Sequence, residues 1–286
     1  MGSHALSGNC GNNNTAMGRF ALVSATGAGN TALGHQAGIA LGSGSDNTFV
    51  GKSAGDGTSS GDENTAVGVS SLSAVAGNGN TTVGHASLFL CTGASNTAIG
   101  ASAGSSLTSG GNCLFLGKDA GLSGSPGGVI TTSSDSVRLG DENITNCHIQ
   151  VDWTVASDQR DKTDFVDLDL GLDFVKALEP VTYYWDKRSK YGDKYADDYD
   201  LNAQTPDGTH KEDWMDIGFK AQSVQSLEEA AGYKAEDKKN LTVSTSEDGK
   251  QMGLQYSKFV PILVKAIQDQ DAIIQSLTAR IAALES

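Results

Sequence analysis

The sequence predicts two differently built halves. The N-terminal half is a mainly β, parallel β-roll or solenoid of stacked coils, and the C-terminal half is an α+β domain ending in one long helix. Three observations carry this division. A short motif recurs at a near-constant interval through the first 120 residues or so. The 36 glycines are dense up to about Gly140 and sparse afterwards. Charge divides the same way, with four Lys/Arg and nine Asp/Glu in residues 1–156 against sixteen and twenty-five in 157–286. So much glycine, with only 6 % aromatics, excludes a conventional globular core for the first half.

The repeating element is Asn-Thr-x-aliphatic-Gly, with Met17 once in the aliphatic place: Asn14–Gly18, Asn30–Gly34, Asn47–Gly51, Asn64–Gly68, Asn80–Gly84 and Asn96–Gly100. A seventh copy, Asn112–Gly117, has one extra residue and lacks the Thr. Successive Asn residues stand 16 or 17 apart. A second small or apolar pair follows each copy, as in Ala21-Leu22, Ala37-Gly38 and Ala54-Gly55. A helix would lose about 1 kcal/mol at each glycine relative to alanine, whereas short strands joined by tight turns tolerate them. Each copy is therefore expected to be one coil with two short strands. Met17, Leu33, Val50, Val67, Val83, Ile99 and Leu116 are expected to stack inward, and the recurrent Asn to bond the coils above and below. One coil buries too little apolar surface to stand alone, so the coils must stack and associate laterally.

This pattern resembles the head repeats of trimeric autotransporter adhesins of the YadA type and the similar repeats of phage fibres, over about residues 9–122. The resemblance implies a left-handed parallel β-roll in which three chains share a threefold core. The position after each motif Gly holds Arg19, His35, Lys52, Val69, His85, Ala101 and Lys118. It reads as a solvated edge, since His35 and His85 stand too far apart to chelate one metal within a chain. Residues 121–128 read as a linker, and Val129–Val155 as short β-like runs forming a cap.

From Ser157 the text changes. Four blocks run in order: Ser157-Asp158-Gln159-Arg160-Asp161-Lys162; Gly171-Leu172-Asp173 through Leu178–Trp185; Ile217–Gln222; and Leu254-Gln255-Tyr256 into Pro261–Gln268. Together they resemble the C-terminal intramolecular chaperones of phage tailspikes and tail fibres, the S74 peptidase family. The resemblance implies a domain that assists trimerisation and then cuts the Ala156–Ser157 bond, with Ser157 as nucleophile and Lys162 as general base. The chemistry stands by itself, because a serine hydroxyl needs a base and a neutral lysine serves where histidine is missing. Burial is what makes such a lysine neutral. A spacing of five separates side chains by about 140° on a continuous helix, so Ser157 must precede the helix or sit in a turn. Asp158 and Asp161 oppose a neutral Lys162 unless they point away or Arg160 neutralises one.

Val260, Leu263, Ile267, Gln270, Ile274, Leu277, Ile281 and Leu284 alternate at three and four residues, a heptad seam over 260–285. Such a seam suits dimers or trimers, and the threefold roll selects the trimer. The stretch Asp186–Asp213 is polar and rich in Tyr and Asp, and reads as an extended arm that in the family wraps a partner. Asp197, Asp198 and Asp200 lack a calcium-loop spacing. Glu228-Glu229 and Asp197-Asp198 read as solvated pairs.

The expected organisation is thus 1–8 expression-tag residues, 9–122 roll, 123–156 linker and cap, and 157–286 chaperone, with natural sequence extending upstream. The expected function is the distal part of a trimeric phage tail fibre that attaches to a host receptor, a glycan or outer-membrane component. The fibre belongs to the virion and is assembled in the host cytoplasm. The alternative is a bacterial or prophage-encoded trimeric adhesin whose repeats bind ligand, which would end in membrane-barrel strands rather than a coiled coil. No cofactor or metal is expected. The net charge of −14 argues against a nucleic-acid partner. No apolar run reaches the roughly 20 residues of a membrane span. Cys10, Cys91, Cys113 and Cys147 read as four reduced thiols.

Overall fold

The computed structural model describes residues 2–8, 10–196, 198–239 and 241–286. The chain divides into two compact units. One holds residues 1–145 with 186–210 and 246–251; the other holds 146–185, 211–245 and 252–286.

The first unit is a parallel solenoid. Its strands are β1 (Thr15–Met17), β2 (Thr31–Leu33), β3 (Thr48–Val50), β4 (Thr65–Val67), β5 (Thr81–Val83), β6 (Thr97–Ile99), β7 (Leu114–Leu116) and β8 (Val137–Leu139). Each pairs in parallel with the next in one eight-stranded sheet. Every coil supplies one strand, not two; the remainder of each coil is turns. The alternation also runs opposite to expectation. In the first seven strands the central residue points into the coil: Ala16, Ala32, Phe49, Ala66, Thr82, Ala98 and Phe115 are buried. The aliphatic residues face outward, with Met17 59 % exposed and Leu33, Val83 and Ile99 also exposed. A three-residue strand presents its outer pair on one face and its middle residue on the other, so a one-position error of phase moves the whole ladder.

The asparagine ladder is as expected. Asn30, Asn47, Asn64, Asn80 and Asn96 are fully buried. The Oδ1 of Asn47 accepts from the backbone N–H of Asn64 at 2.9 Å and from its side-chain amide at 3.1 Å. The same pair of bonds links Asn64 to Asn80 and Asn80 to Asn96. The ladder does not continue into Asn112. Its extra residue places Cys113 in the Asn position, where the Cys113 N–H donates to Asn96 Oδ1 at 2.9 Å. The motif glycines are fixed by coil spacing: a Cβ on Gly51, at φ +135°, would lie 2.4 Å from the carbonyl oxygen of Gly68.

The step from β7 to β8 is 23 residues, with Leu114 opposite Val137. The glycine-rich 121–128 segment lies within this enlarged coil, where Ser125 is fully buried and its Oγ accepts from the Gly121 N–H at 3.0 Å.

The second unit joins α1 (Leu172–Ala177), β9 (Val181–Tyr183), β10 (Asp216–Gly218), α2 (Ala221–Ala230), β11 (Val243–Thr245), β12 (Met252–Leu254) and α3 (Phe259–Glu285). β9 and β10 are antiparallel, as are β11 and β12. Leu170, Phe174 and Ile262 form one small core, and Val224, Val243 and Phe259 another. Glu228 is not solvated as expected: it is 1 % exposed and accepts from the N–H and hydroxyl of Thr242.

Candidate self-cleavage site

Residues from Asn146 to Asp158 have almost no regular structure, and Ala156 and Ser157 are exposed. A one-turn 3-10 helix over Gln159–Asp161 follows, with Asp158 as its N-cap. Asp158 is well suited to that place, because a short carboxylate can accept from the first free N–H of the turn. It accepts from the Arg160 N–H at 2.9 Å. The Arg160 guanidinium also folds back on it, at 2.6 Å from Nη2 to Oδ2. That side-chain pairing, with the N–H bond, holds the Asp158 carboxyl below its ordinary range.

Ser157 thus lies before the helix, and the turn reverses the chain far enough for Lys162 to reach back. Lys162 Nζ donates to Ser157 Oγ at 2.6 Å. The spacing of five, unfavourable on a continuous helix, is spanned because Lys162 is already extended, with φ −129° and ψ 150°. Arg160 pairs with Asp158, so that carboxylate is turned onto the guanidinium. Both members of the Ser157–Lys162 pair are exposed in a single chain.

Three of the sequence blocks meet in one packed region. Thr182 in β9 stands opposite Ile217 in β10. The Phe219 N–H donates to the Tyr256 hydroxyl at 3.3 Å, and the Phe219 ring stacks on Phe259 with centroids 5.4 Å apart. Gly218 is small because a Cβ there would meet the Tyr256 hydroxyl at 2.4 Å. Gly171 has the same kind of reason. Asp269 of α3 approaches it closely and accepts from the Leu172 N–H at 3.1 Å, capping α1 from a distant helix.

The seam residues Val260, Leu263, Ile267, Gln270, Ile274, Leu277, Ile281 and Leu284 are all exposed, whereas Phe259, Ile262 and Ala266, on the adjoining face of the first turns of α3, are buried. Arg19, His35, Lys52, Val69, His85, Ala101 and Lys118 also lie on the surface, as a solvated edge. All four cysteines are free thiols. Of the acidic residues in the arm, Asp197 lies outside the described residues, and Asp200 accepts from Lys250 Nζ at 2.8 Å. Among the described residues no helix is long and apolar enough to cross a membrane.

One polar cluster was not foreseen. Within the first unit, Lys194 Nζ lies 2.7 Å from Glu142 Oε1 and 3.1 Å from Asp119 Oδ2, with all three side chains largely buried. The Tyr195 hydroxyl donates to Asp119 at 2.5 Å. Nothing in the sequence links positions 119, 142 and 194; only the grouping of the arm with the solenoid brings them together.

Residues 157–233 match the family model for Peptidase S74, described as the chaperone of endosialidase. The match begins at Ser157 and takes in the first three of the four blocks. It marks the chain as carrying an intramolecular chaperone of the kind found on trimeric fibre and tailspike proteins, in a family known for autoproteolytic cleavage. The solenoid that precedes it is consistent with tail-fibre repeats. No curated protein and no solved structure matches the chain.

Proposed function

We propose that this chain is the distal part of a trimeric phage tail fibre that attaches to a host surface, with a C-terminal chaperone that gathers three copies and then cuts itself away at Ala156–Ser157. The observation that carries the cleavage reading is the 2.6 Å contact from Lys162 Nζ to Ser157 Oγ, directly after an exposed and irregular Ala156.

In the reaction, Lys162 takes the Ser157 hydroxyl proton as Oγ attacks the carbonyl carbon of Ala156. The new C–O bond closes a five-membered ring, and collapse breaks the C–N bond as the proton passes to the Ser157 nitrogen. Water then hydrolyses the ester, releasing an Ala156 carboxylate and a free Ser157 amine and hydroxyl. A protonated lysine cannot begin this sequence, and removal from water is what favours the neutral amine. The exposed pair of a single chain therefore becomes competent only when neighbouring copies cover it, which ties the cut to assembly. Stacked parallel coils form slowly and have sticky ends. Removing the clamp after folding leaves the rod kinetically trapped.

The test is intact mass under denaturing conditions. The wild type yields two pieces divided after Ala156, while Ser157→Ala and Lys162→Met each yield one full-length chain. Cleavage elsewhere, or unchanged cleavage in Ser157→Ala, would remove Ser157 from the role.

A further inference from the structure

The carboxylate of Glu247 sits in an unusually complete set of donors within the first unit. Its Oε1 accepts from the Thr131 hydroxyl at 2.8 Å, the Thr132 N–H at 3.1 Å and the Thr132 hydroxyl at 2.6 Å. Its Oε2 accepts from the Thr131 N–H at 3.2 Å, the Ser133 N–H at 3.3 Å and the Ser133 hydroxyl at 2.9 Å. Three successive backbone N–H groups turned to one side make a concave anion site, and here three hydroxyls reinforce them. Partial burial disfavours the charge on Glu247, but the donors of Thr132, Thr131 and Ser133 outweigh it and hold the carboxyl far below its ordinary range. Burial brings the nearby Arg138 guanidinium below its ordinary range, with the charge of Glu247 opposing the shift, and its buried Nε has no hydrogen-bond partner.

The donors belong to the solenoid. The Thr131 carbonyl accepts from the Thr108 N–H at 2.7 Å and from the Thr108 hydroxyl at 2.8 Å, which fixes the loop to the preceding coil. Thr131, Thr132 and Ser133 lie before the Ala156–Ser157 bond and Glu247 lies after it. Cleavage therefore places the site and its occupant on different polypeptides.

We propose that Thr131, Thr132 and Ser133 form a carboxylate-binding site on the rod, which Glu247 fills until the cut piece departs and which then accepts the acid group of a surface saccharide. This rests on the self-cleavage reading for its timing, though not for the site itself. The occupant defines the chemistry, a planar two-oxygen anion. Residues 131–136 read Thr-Thr-Ser-Ser-Asp-Ser and offer no apolar wall for anchoring a protein segment. A hydrated acidic sugar such as a hexuronate suits such a surface better.

The test uses the full chain carrying Ser157→Ala, so that no result depends on the cut. Sodium glucuronate is titrated calorimetrically at constant ionic strength, with and without Glu247→Ala. Saturable binding in the Glu247→Ala chain, weakened at least about ten-fold when Glu247 is present and abolished by adding Thr132→Val, is the expected result. Equal binding with and without Glu247, or no binding, overturns the site. Tighter binding of a glutamate-rich peptide than of glucuronate overturns the saccharide assignment. Should Glu247→Ala fail to fold, Glu247→Gln, which turns an amide nitrogen toward the donors, gives the same readout. Separately, wild-type protein shown by mass to be cut must bind glucuronate once the C-terminal piece is removed; failure there overturns the unmasking step alone.

Discussion

The ring of Phe49 occupies the space into which a side chain at Gly55 would project: a Cβ there would lie 2.4 Å from the ring carbons Cδ1 and Cε1. The same ring excludes a Cβ at Gly38 in the preceding coil, at 2.8 Å. Phe115 repeats the arrangement with Gly104 and Gly121. Leu22, Leu72 and Leu88 fill the equivalent position in the coils whose strands carry Ala16, Ala66 and Thr82. One large side chain per neighbourhood fills the interior, supplied either by the strand or by the turn.

Phe49→Ala should therefore cost about 3–5 kcal/mol by opening a cavity. Gly55→Leu alone should destabilise by overpacking. The double substitution should recover part of the loss, since leucine is accepted at φ of +48°, +55° and +46° at positions 22, 72 and 88. Denaturant unfolding of the four chains measures the coupling; strictly additive losses would contradict the size exchange.

The asparagine ladder predicts a position-dependent cost. Asn64→Ala removes the acceptor of the Asn80 N–H and leaves that buried donor unsatisfied, at about 1–3 kcal/mol. Asn112→Ala, which replaces an exposed residue outside the ladder, should change stability far less. Thermal unfolding of the two variants separates them.

Much of this was legible in the sequence, and the misses have physical causes. The 16–17-residue period named the solenoid, and the buried asparagines follow from an amide that can both donate and accept along a stack. Which strand face points inward was not legible. In Thr-x-aliphatic the outer aliphatic residue looks like core, and only packing reveals that Ala, Phe or Thr at the centre fills the coil. Those outward aliphatic residues form a row along the sheet, a face that lateral association of coils would cover. Ser157 and Lys162 came from the resemblance to the S74 peptidases, not from their spacing, and the turn that brings them together answers the geometric objection to a continuous helix. The Lys194 cluster and the Glu247 site were invisible because Lys194 stands 52 residues from Glu142, and Glu247 stands 116 from Thr131, without any shared motif.

The arm should loosen with acid. Burial raises the Asp119 carboxyl, but the Tyr195 hydroxyl and the Lys194 ammonium outweigh it and bring it below its ordinary range. Burial lowers Lys194, yet Glu142 and Asp119 outweigh it and raise it. The depressed carboxylate stabilises the fold above the ordinary carboxylate range and loses that contribution as pH falls through its lowered value. The raised lysine stabilises below the ordinary lysine range and loses its contribution as pH rises through its raised value. Hydrogen exchange of residues 186–210 should thus be flat from about pH 5 to 9, after correction for intrinsic rates, with protection falling toward pH 3. Lys194→Met, which takes the shared ammonium from the buried Glu142 and Asp119 and leaves Asp119 only the Tyr195 hydroxyl and the exposed Lys118, should cost about 3–5 kcal/mol at neutral pH.

The helix seam predicts loss of assembly without loss of the domain. Ile274→Asp places a charge on an exposed face of α3, away from Phe259, Ile262 and Ala266. The single domain should keep its helix content while the associated form weakens by several kcal/mol, about 3–5 for each charge that association would bury unpaired. Sedimentation over a concentration series measures this, and cleavage at Ala156 should fall in parallel if covering the Ser157–Lys162 pair requires neighbours.

The central claim is that three copies held at their C-terminal helices let the coils stack into one rod. Native mass of the uncut Ser157→Ala chain tests it most directly. The account predicts a particle three times the 29.5 kDa chain mass. A folded single chain with an ordered solenoid would contradict it.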